Sequence, residues 1–507
     1  MSDINSLVEA RIDYREKYRP QFHFSPRKHW MNDPNGLVFY KGEYHLFYQY
    51  YPGGNTWGPM HWGHAKSNDM VKWQHCPIAL EPDELGMIFS GSVVVDWHDT
   101  SGFFNGGDGL VAIFTHSNEG VQSQSIAYSL DEGQTWTKYE NNPVIPNEHI
   151  KDFRDPKVFW HDDTQNWIMV LAAGQKVMLY GSTNLKNWTF LSEFGESDGA
   201  HGGVWECPDL FSLPVNGDLL NQKWILQVDI GSGAVAGGSG AQYFVGEFDG
   251  TTFKNVNEAE KTLWLDFGKD FYATQSFSDI PIEDGRRILL AWMSNWEYAN
   301  EVPTSPWRSA MTIPREVELR QTANGDLKLH QHPIHELKQL RQEKIKINNR
   351  VVNGEMNVLK DQKEEVFELI AEVENLSAEE FGFELRKSSK NKQGTIVGYN
   401  LLTNELFIDR EKSGDVSFSK QFKGKHVATI EKGLNKVKFH IFVDKSSIEL
   451  FFQEGEVVLT DLIFPDDDSQ ELAFYIKGGE VTILNLEVYV LKSVWEDESE
   501  GATKVNE

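Results

Sequence analysis

The sequence predicts an all-β chain, a five-bladed β-propeller followed by a C-terminal β-sandwich. Three observations carry this reading. Between residues 20 and 330, short aromatic and β-branched runs such as "GEYHLFYQY", "GLVAIFTH", "NWIMVLAA" and "RRILLAWMS" alternate with clusters of Gly, Asn, Asp and Pro. A weak repeat runs through this region: "AKSNDMVKW", "AYSLDEGQTW" and "YGSTNLKNW" each place a Ser at a strand end, then a polar turn, then Trp73, Trp136 or Trp188. Past residue 346, "NKVKFHIFVDKSSIELFF" alternates Val437, Phe439, Ile441 and Val443 with more polar positions, turns at 444–446 and resumes as a second strand.

Each element follows from these patterns. The repeated Trp residues stand about 50 to 60 positions apart, which suits four-stranded blades with insertions, and five such blades fill roughly 310 residues. A closed ring of blades also removes most exposed sheet edges; a large barrel or sandwich is the alternative for this region. Residues 1–19 read as an N-terminal extension and 20–330 as the propeller. In "HPIHELKQLRQEK", Leu337 and Leu340 follow Pro333 among helix formers, which predicts a short helical linker over 331–345. Residues 346–495 read as the sandwich, with the same alternation in "FGFELRKS", "NELFIDRE" and "VTILNLEVYVL", and 496–507 as an acidic tail.

Composition narrows the function classes. The 507 residues carry 76 acidic and 48 basic side chains, a net charge of −28. No broad basic surface is available to neutralise nucleic-acid phosphates, and an anionic substrate would be repelled. A neutral ligand such as a sugar would not be. No apolar run approaches a membrane span. The N-terminus lacks a secretory pattern, so the expected location is the cytoplasm, or outside the cell if the chain starts after a removed signal. Cys76 and Cys207 suggest neither a disulfide framework nor a zinc site. The sixteen histidines show no paired metal spacing. No metal and no cofactor are expected, and the oligomeric state, monomer or dimer, is not encoded in any pattern.

Three stretches concentrate the chemistry. "WMNDPNG" holds Asp33–Pro34, "FRDPKVFW" holds Asp155–Pro156, and "GGVWECPDLF" holds Glu206–Cys207–Pro208. Each sets a carboxylate at or just before a proline, with an apolar β segment after it. Proline restricts its predecessor to extended conformations and removes a backbone donor. One Asp-Pro is usually just a turn. Three in similar frames can aim three carboxylates into one funnel, because the innermost strands of a propeller line its axis. The neighbours suit a carbohydrate, whose apolar faces stack on rings and whose hydroxyls need amide and carboxylate partners. Trp30, Asn32, Gln49, Trp57, Phe89, Ser90, Arg154, Trp292 and Trp296 are the candidates, although each Trp taken alone fits a blade core better than a ligand platform, since blades are packed with aromatics. Glycoside hydrolysis needs two carboxyls, one to protonate the leaving oxygen and one to attack the anomeric carbon or activate water. Arg154 is expected to keep Asp155 ionised, apolar neighbours to raise the pKa of Glu206, and turn amides to hold Asp33 as the anion.

"WMNDPNG", "FSGS" at 89–92, "FRDP" and "WECPD" together resemble the signature set of glycoside hydrolase family 32, the β-fructofuranosidases, invertases, inulinases and levanases. "WGPMHWGHA", "AWMSNWEYANEVPTSPWRSAM" and "FVDKSSIELF" resemble the bacterial levanase and exo-inulinase branch, and the resemblance runs over nearly the whole chain. It implies a five-bladed propeller with a β-sandwich and retention through a covalent fructosyl-enzyme. It implies Asp33 as nucleophile, Glu206 as acid/base and Asp155 as the stabiliser of fructose hydroxyls, with Trp30, Met31 and Asn32 shaping the pocket. The expected activity is exo-hydrolysis of terminal β-D-fructofuranosyl units from levan, inulin and sucrose-type oligosaccharides. A sucrose-preferring invertase is the alternative within the class, and a non-catalytic fructan-binding protein the alternative outside it. The linkage preferred, β-2,1 or β-2,6, is not legible. "GSGAVAGGSG" at 231–240 reads as a loop between strands, Cys207 as a small packing residue and "FPDDDSQ" at 464–470 as a solvated loop.

Overall fold

The computed structural model describes residues 14–495 apart from 148 and 355. The expected acidic tail and most of the N-terminal extension lie outside the described residues. Five antiparallel four-stranded groups occupy the first two thirds of the chain. The innermost strands of blades 1 to 5 are His29–Tyr40, Met87–Val95, Phe153–His161, Trp205–Val215 and Tyr272–Ser276. They touch in ring order, 1 against 2 through 5 against 1, so the sheet closes on itself. The closure is stitched by Trp307–Arg308 running parallel to His29–Trp30 and by reciprocal backbone hydrogen bonds between Leu37, Phe39 and Ser278.

The Trp repeat marks one recurring turn between the third and fourth strands of blades 1 to 3. Ser67, Ser129 and Ser182 hydrogen-bond to Asp69, Asp131 and Asn184, two positions on. Those side chains then accept backbone N–H groups of the turn, an Asx-type closure. Trp73, Trp136 and Trp188 donate their indole N–H to the carbonyls of Met70, Gly133 and Leu185, three residues back, at 3.0, 3.2 and 3.0 Å. The same short pattern therefore builds the outer corner of three blades.

The helix expected over 331–345 is a short 3₁₀ helix of six residues, His335–Leu340. The last propeller strand runs to Pro333 and the first sandwich strand starts at Arg341, so backbone pairing claims both flanks. Leu337 and Leu340 are buried in the core shared by the two units. The sandwich stacks a six-stranded on a five-stranded sheet around Phe381, Phe383, Phe439, Phe452 and Phe474. The predicted hairpin is present, Lys436–Asp444 paired with Ser447–Phe452.

Propeller and sandwich meet through buried charges rather than apolar surface alone. Arg315 bonds to Asp266 at 3.0 Å and to Glu449 at 2.6 Å, with all three side chains at most 1% exposed. Arg410 reaches Asp270 at 2.5 Å, and His23 bridges Asp444 and Glu449 at 2.8 Å each. Phe267 and Asp270 donate backbone hydrogen bonds to Val458 and Thr460, so this propeller loop lies along a sandwich strand. Between them Gly268 passes so close that a Cβ would stand 2.2 Å from Thr460 backbone atoms. Deleting one member of such a buried pair costs about 3–5 kcal/mol, because the partner charge is stranded.

The His23 bridge makes a stability prediction. Burial by itself lowers the imidazole pKa, but Asp444 and Glu449 outweigh it and push it up to about 9. The charged bridge therefore stabilises the fold fully below the unfolded value of about 6.5 and loses that contribution as pH rises through about 9. Calorimetric Tm should fall between pH 6.5 and 9.5, and His23→Gln should lower Tm at pH 6 and flatten that part of the profile.

Candidate active site

At the N-terminal ends of the innermost strands, every one of the five carries a register shift. The shifts fall between Met31 and Pro34, Ile88 and Gly91, Glu206 and Asp209, and Tyr272 and Gln275, and in blade 3 around Asp155, opposite Val170–Ala172. The Asp33–Pro34 frame, where turn amides are expected around Asp33, is thus a bulge inside a continuous strand, not a turn. Bulges re-aim side chains, and proline is at home there because it has no N–H to leave unpaired. Asp155 and Cys207 take φ of +64° and +46°, conformations that a regular strand does not offer.

The bulges bring Asp33, Asp155 and Glu206 into one pocket of about 450 Å³. Cys207 is the joint. Its backbone N–H donates to Asp155 Oδ2 at 3.0 Å, and its thiol lies 3.5 Å from Asp33 Oδ2 and 3.7 Å from Asp155 Oδ2. The reading of Cys207 as mere packing misses these contacts. Asp33 is held by side chains rather than turn amides: Ser90 Oγ donates to Oδ2 at 2.5 Å and Asn32 Nδ2 to Oδ1 at 2.9 Å. Burial raises the Asp33 pKa, and those two donors oppose the rise.

Arg154 does not serve Asp155 as expected. Its Nη2 and Nε bond Glu206 Oε1 at 2.7 and 3.2 Å, its Nη1 bonds Asp152 at 2.9 Å, and Asp155 Oδ2 is 3.9 Å away. Asp155 is accordingly pushed up to about 7. Burial is the main cause; Arg154 lowers the value, and the charges of Glu206 and Asp33 raise it. Glu206 is not in the apolar setting that its neighbours in sequence suggest. Its other oxygen accepts the Tyr272 hydroxyl, and Trp205 is turned into the blade core, where its indole bonds Ala200 O.

Of the remaining candidates, Asn32, Gln49, Trp57, Phe89, Ser90, Arg154 and Trp296 line the pocket, whereas Trp30, Met31 and Trp292 do not. Trp30 and Trp292 are fully buried behind Trp296, at ring-centroid distances of 6.1 and 4.8 Å from it. Trp30 acts on the site through Asn32, whose Oδ1 accepts its indole N–H at 2.7 Å. Met31 points into the core shared with the sandwich. Trp57, 41% exposed, stands at the rim, edge-on to Phe89. The 231–240 loop packs beneath Trp296: Ser239 Oγ accepts the Trp296 N–H, and a Cβ on Gly238 would meet Asn295 at 2.2 Å.

Sequence reasoning missed Gln122, Asp152, Asn300 and Tyr272. Gln122 and Tyr272 lie in ordinary strand patterns with no local signal. Asp152 could have been found two positions before Arg154, as the obvious local partner of a guanidinium. The floor is closed. Lys157 Nζ lies 3.2 Å from Asp209 Oδ2 and donates to Ser276 O at 2.5 Å, and Ser276 N donates to Asp209 at 2.7 Å. These buried groups cross the propeller axis two to three residues below the carboxylates, so the pocket is blind.

The N-terminal domain description of glycosyl hydrolases family 32 matches residues 23–333, and the C-terminal description of the same family matches 336–490. A levanase of Bacillus subtilis is 55% identical over 95% of this chain and 72% of its own length. An extracellular exo-inulinase of Aspergillus niger is 41% identical over 96% of this chain and 97% of its own. Among solved structures, the exo-inulinase of Aspergillus awamori superposes with a TM-score of 0.88 at 39% identity, over 95% of this chain and 100% of that one. The fructofuranosidase of Schwanniomyces occidentalis complexed with fructose gives 0.88 at 36%, over 96% and 100%. With both domain descriptions matched end to end on a propeller and a sandwich, the chain belongs to glycosyl hydrolase family 32.

Proposed function

We propose that this protein is a retaining exo-fructosidase that removes terminal non-reducing β-D-fructofuranosyl units from fructans and sucrose-type oligosaccharides. The observation that carries the reading is the meeting of Asp33, Asp155 and Glu206 in one blind pocket. In this reading Asp33 attacks the anomeric carbon from the floor, fixed by Ser90, Asn32 and the Cys207 thiol. Glu206, clamped between Arg154 and Tyr272, protonates the leaving oxygen and then takes a proton from water. Asp155 grips fructose hydroxyls. Trp57, Phe89 and Trp296 supply ring faces at the mouth. The similarity to a levanase and to exo-inulinases supports the substrate class. A binding-only role is disfavoured, since a binder has no need of three carboxylates sharing one pocket.

The blind floor makes the mode of attack testable. A chain end fits, whereas a chain interior has no exit. Chromatography of early levan and inulin digests should show free fructose from the first minutes, with sucrose cleaved in parallel. A ladder of oligosaccharides with little fructose would overturn the exo reading.

Asp33→Asn should lower kcat by roughly 10⁴-fold or more while leaving Tm near the wild-type value. Glu206→Gln should be impaired less on a substrate with an activated leaving group, which needs little protonation. NMR of the first product should show the β-anomer.

Ser90→Ala removes a donor that lowers the Asp33 pKa. The acid limb of the kcat/KM profile should therefore move to higher pH, because more of Asp33 is protonated at a given pH. An unmoved or lowered limb would mean that Asp33 is not the group titrating there.

A further inference from the structure

A second pocket opens on the opposite face of the propeller. The innermost strands pass from the catalytic residues at their N-terminal ends to this pocket three to five residues later, about 10–17 Å away. Its volume is about 530 Å³, larger than the catalytic pocket, and the two share no lining residue. The Lys157–Asp209 plug lies between them. Blades 2 to 5 all contribute to its walls.

Those walls are of a definite kind. Trp97 is 50% exposed, yet it is fixed: its indole N–H donates to Asp279 Oδ1 at 2.9 Å. Trp160 and Trp224 are half-buried, each packed against another ring of the wall, Trp160 against Trp167 at 5.2 Å and Trp224 against Phe159 at 5.6 Å. Around these rings stand Asp209, Ser212 and Arg287. Asp209 Oδ1 is buried and accepts no hydrogen bond from the described residues. Arg287 bonds the carbonyl of Phe277 at 3.2 Å and is bracketed electrostatically by Asp209 and Asp279. Lys157 and Arg287 are matched by Asp209 and Asp279, with Asp96 and Asp162 in addition, so no excess of positive charge awaits an anion. Rigid ring faces beside carboxylate, hydroxyl and guanidinium groups suit a neutral polyhydroxylated chain.

We propose that this pocket is a second carbohydrate-binding site that holds a segment of the same fructan whose end the catalytic pocket trims. The proposal rests on the fructosidase reading for the identity of the polymer. The site does no chemistry. It keeps the enzyme on the polymer between cleavages, which raises the effective concentration of chain ends. A disaccharide is too short to reach both pockets at once.

Two variants test this without touching the catalytic pocket. Trp97→Ala removes the exposed platform, and Ser212→Trp fills the pocket while keeping its walls. Both should leave kcat/KM on sucrose unchanged and raise KM on levan or inulin roughly fivefold or more. In gels containing levan or inulin, run with saturating fructose to occupy the catalytic pocket, the Asp33→Asn protein should be retarded. Adding Trp97→Ala or Ser212→Trp should abolish most of that retardation. Unchanged polymer KM together with unchanged retardation in both variants would overturn the proposal. If the wild type cleaves neither sucrose nor levan nor inulin but is still retarded in a Trp97-dependent way, the fructosidase reading falls and the binding site stands.

Discussion

Everything at the carboxylate-lined end of this molecule depends on a ring of five β-bulges. A closed ring of parallel-running innermost strands offers side chains that alternate toward and away from the blade neighbours. It does not by itself converge several carboxylates on one point above the axis. One extra residue in each strand, at the same height, breaks the alternation where convergence is needed. Asp33, Ser90, Asp155, Glu206 and Tyr272 each lie at or beside such a shift. The bulges also free backbone donors for use: the Cys207 N–H, which a regular ladder would pair, holds Asp155 instead.

Below that ring the axis has to be filled, and polar groups fill it. Lys157 and Asp209 are 3% and 1% exposed. Burial lowers the Lys157 pKa, and the nearby Asp209 charge counters the drop. Such a pair stabilises little beyond what matched apolar side chains would. What it adds is placement: it ties the innermost strands of blades 3, 4 and 5 together through Ser276, and it divides the axis into two pockets with separate linings. The pocket's blindness, and with it the proposed preference for chain ends, follows from this plug rather than from the carboxylates.

Much of this was legible in the sequence, for physical reasons that can be named. Strand texture and the Trp turn repeat are local, so they read directly as blades. The three carboxylate–proline frames are local too, because proline and the bulge share one requirement, the loss of a ladder hydrogen bond. What failed was long-range. Which indole reaches the pocket cannot be read from Trp292 and Trp296 themselves, since they stand only four positions apart and long-range packing decides which one is buried. Arg154 beside Asp155 in sequence suggested an ion pair. Adjacent residues on a strand point to opposite faces, and the guanidinium went across to Glu206 in the next blade. Tyr272 and Gln122 carry no local mark at all.

The charge balance of the pocket explains why such an arrangement is worth its cost in stability. Asp33, Asp152, Asp155 and Glu206 share a single guanidinium, Arg154. Asp229, the cross-strand partner of Glu206, lies just behind, fully buried, with its pKa pushed far up by burial and then by neighbouring carboxylates. Burial raises the pKa values of Asp33, Asp155 and Asp229 alike, and neighbouring carboxylates add to each rise. A neutral sugar enters such a site without a charge penalty. In the proposed reaction, positive charge develops at the anomeric carbon as the glycosidic bond breaks, and the excess of carboxylate that is unfavourable in the resting enzyme becomes favourable. That difference between resting state and transition state is what lowers a barrier.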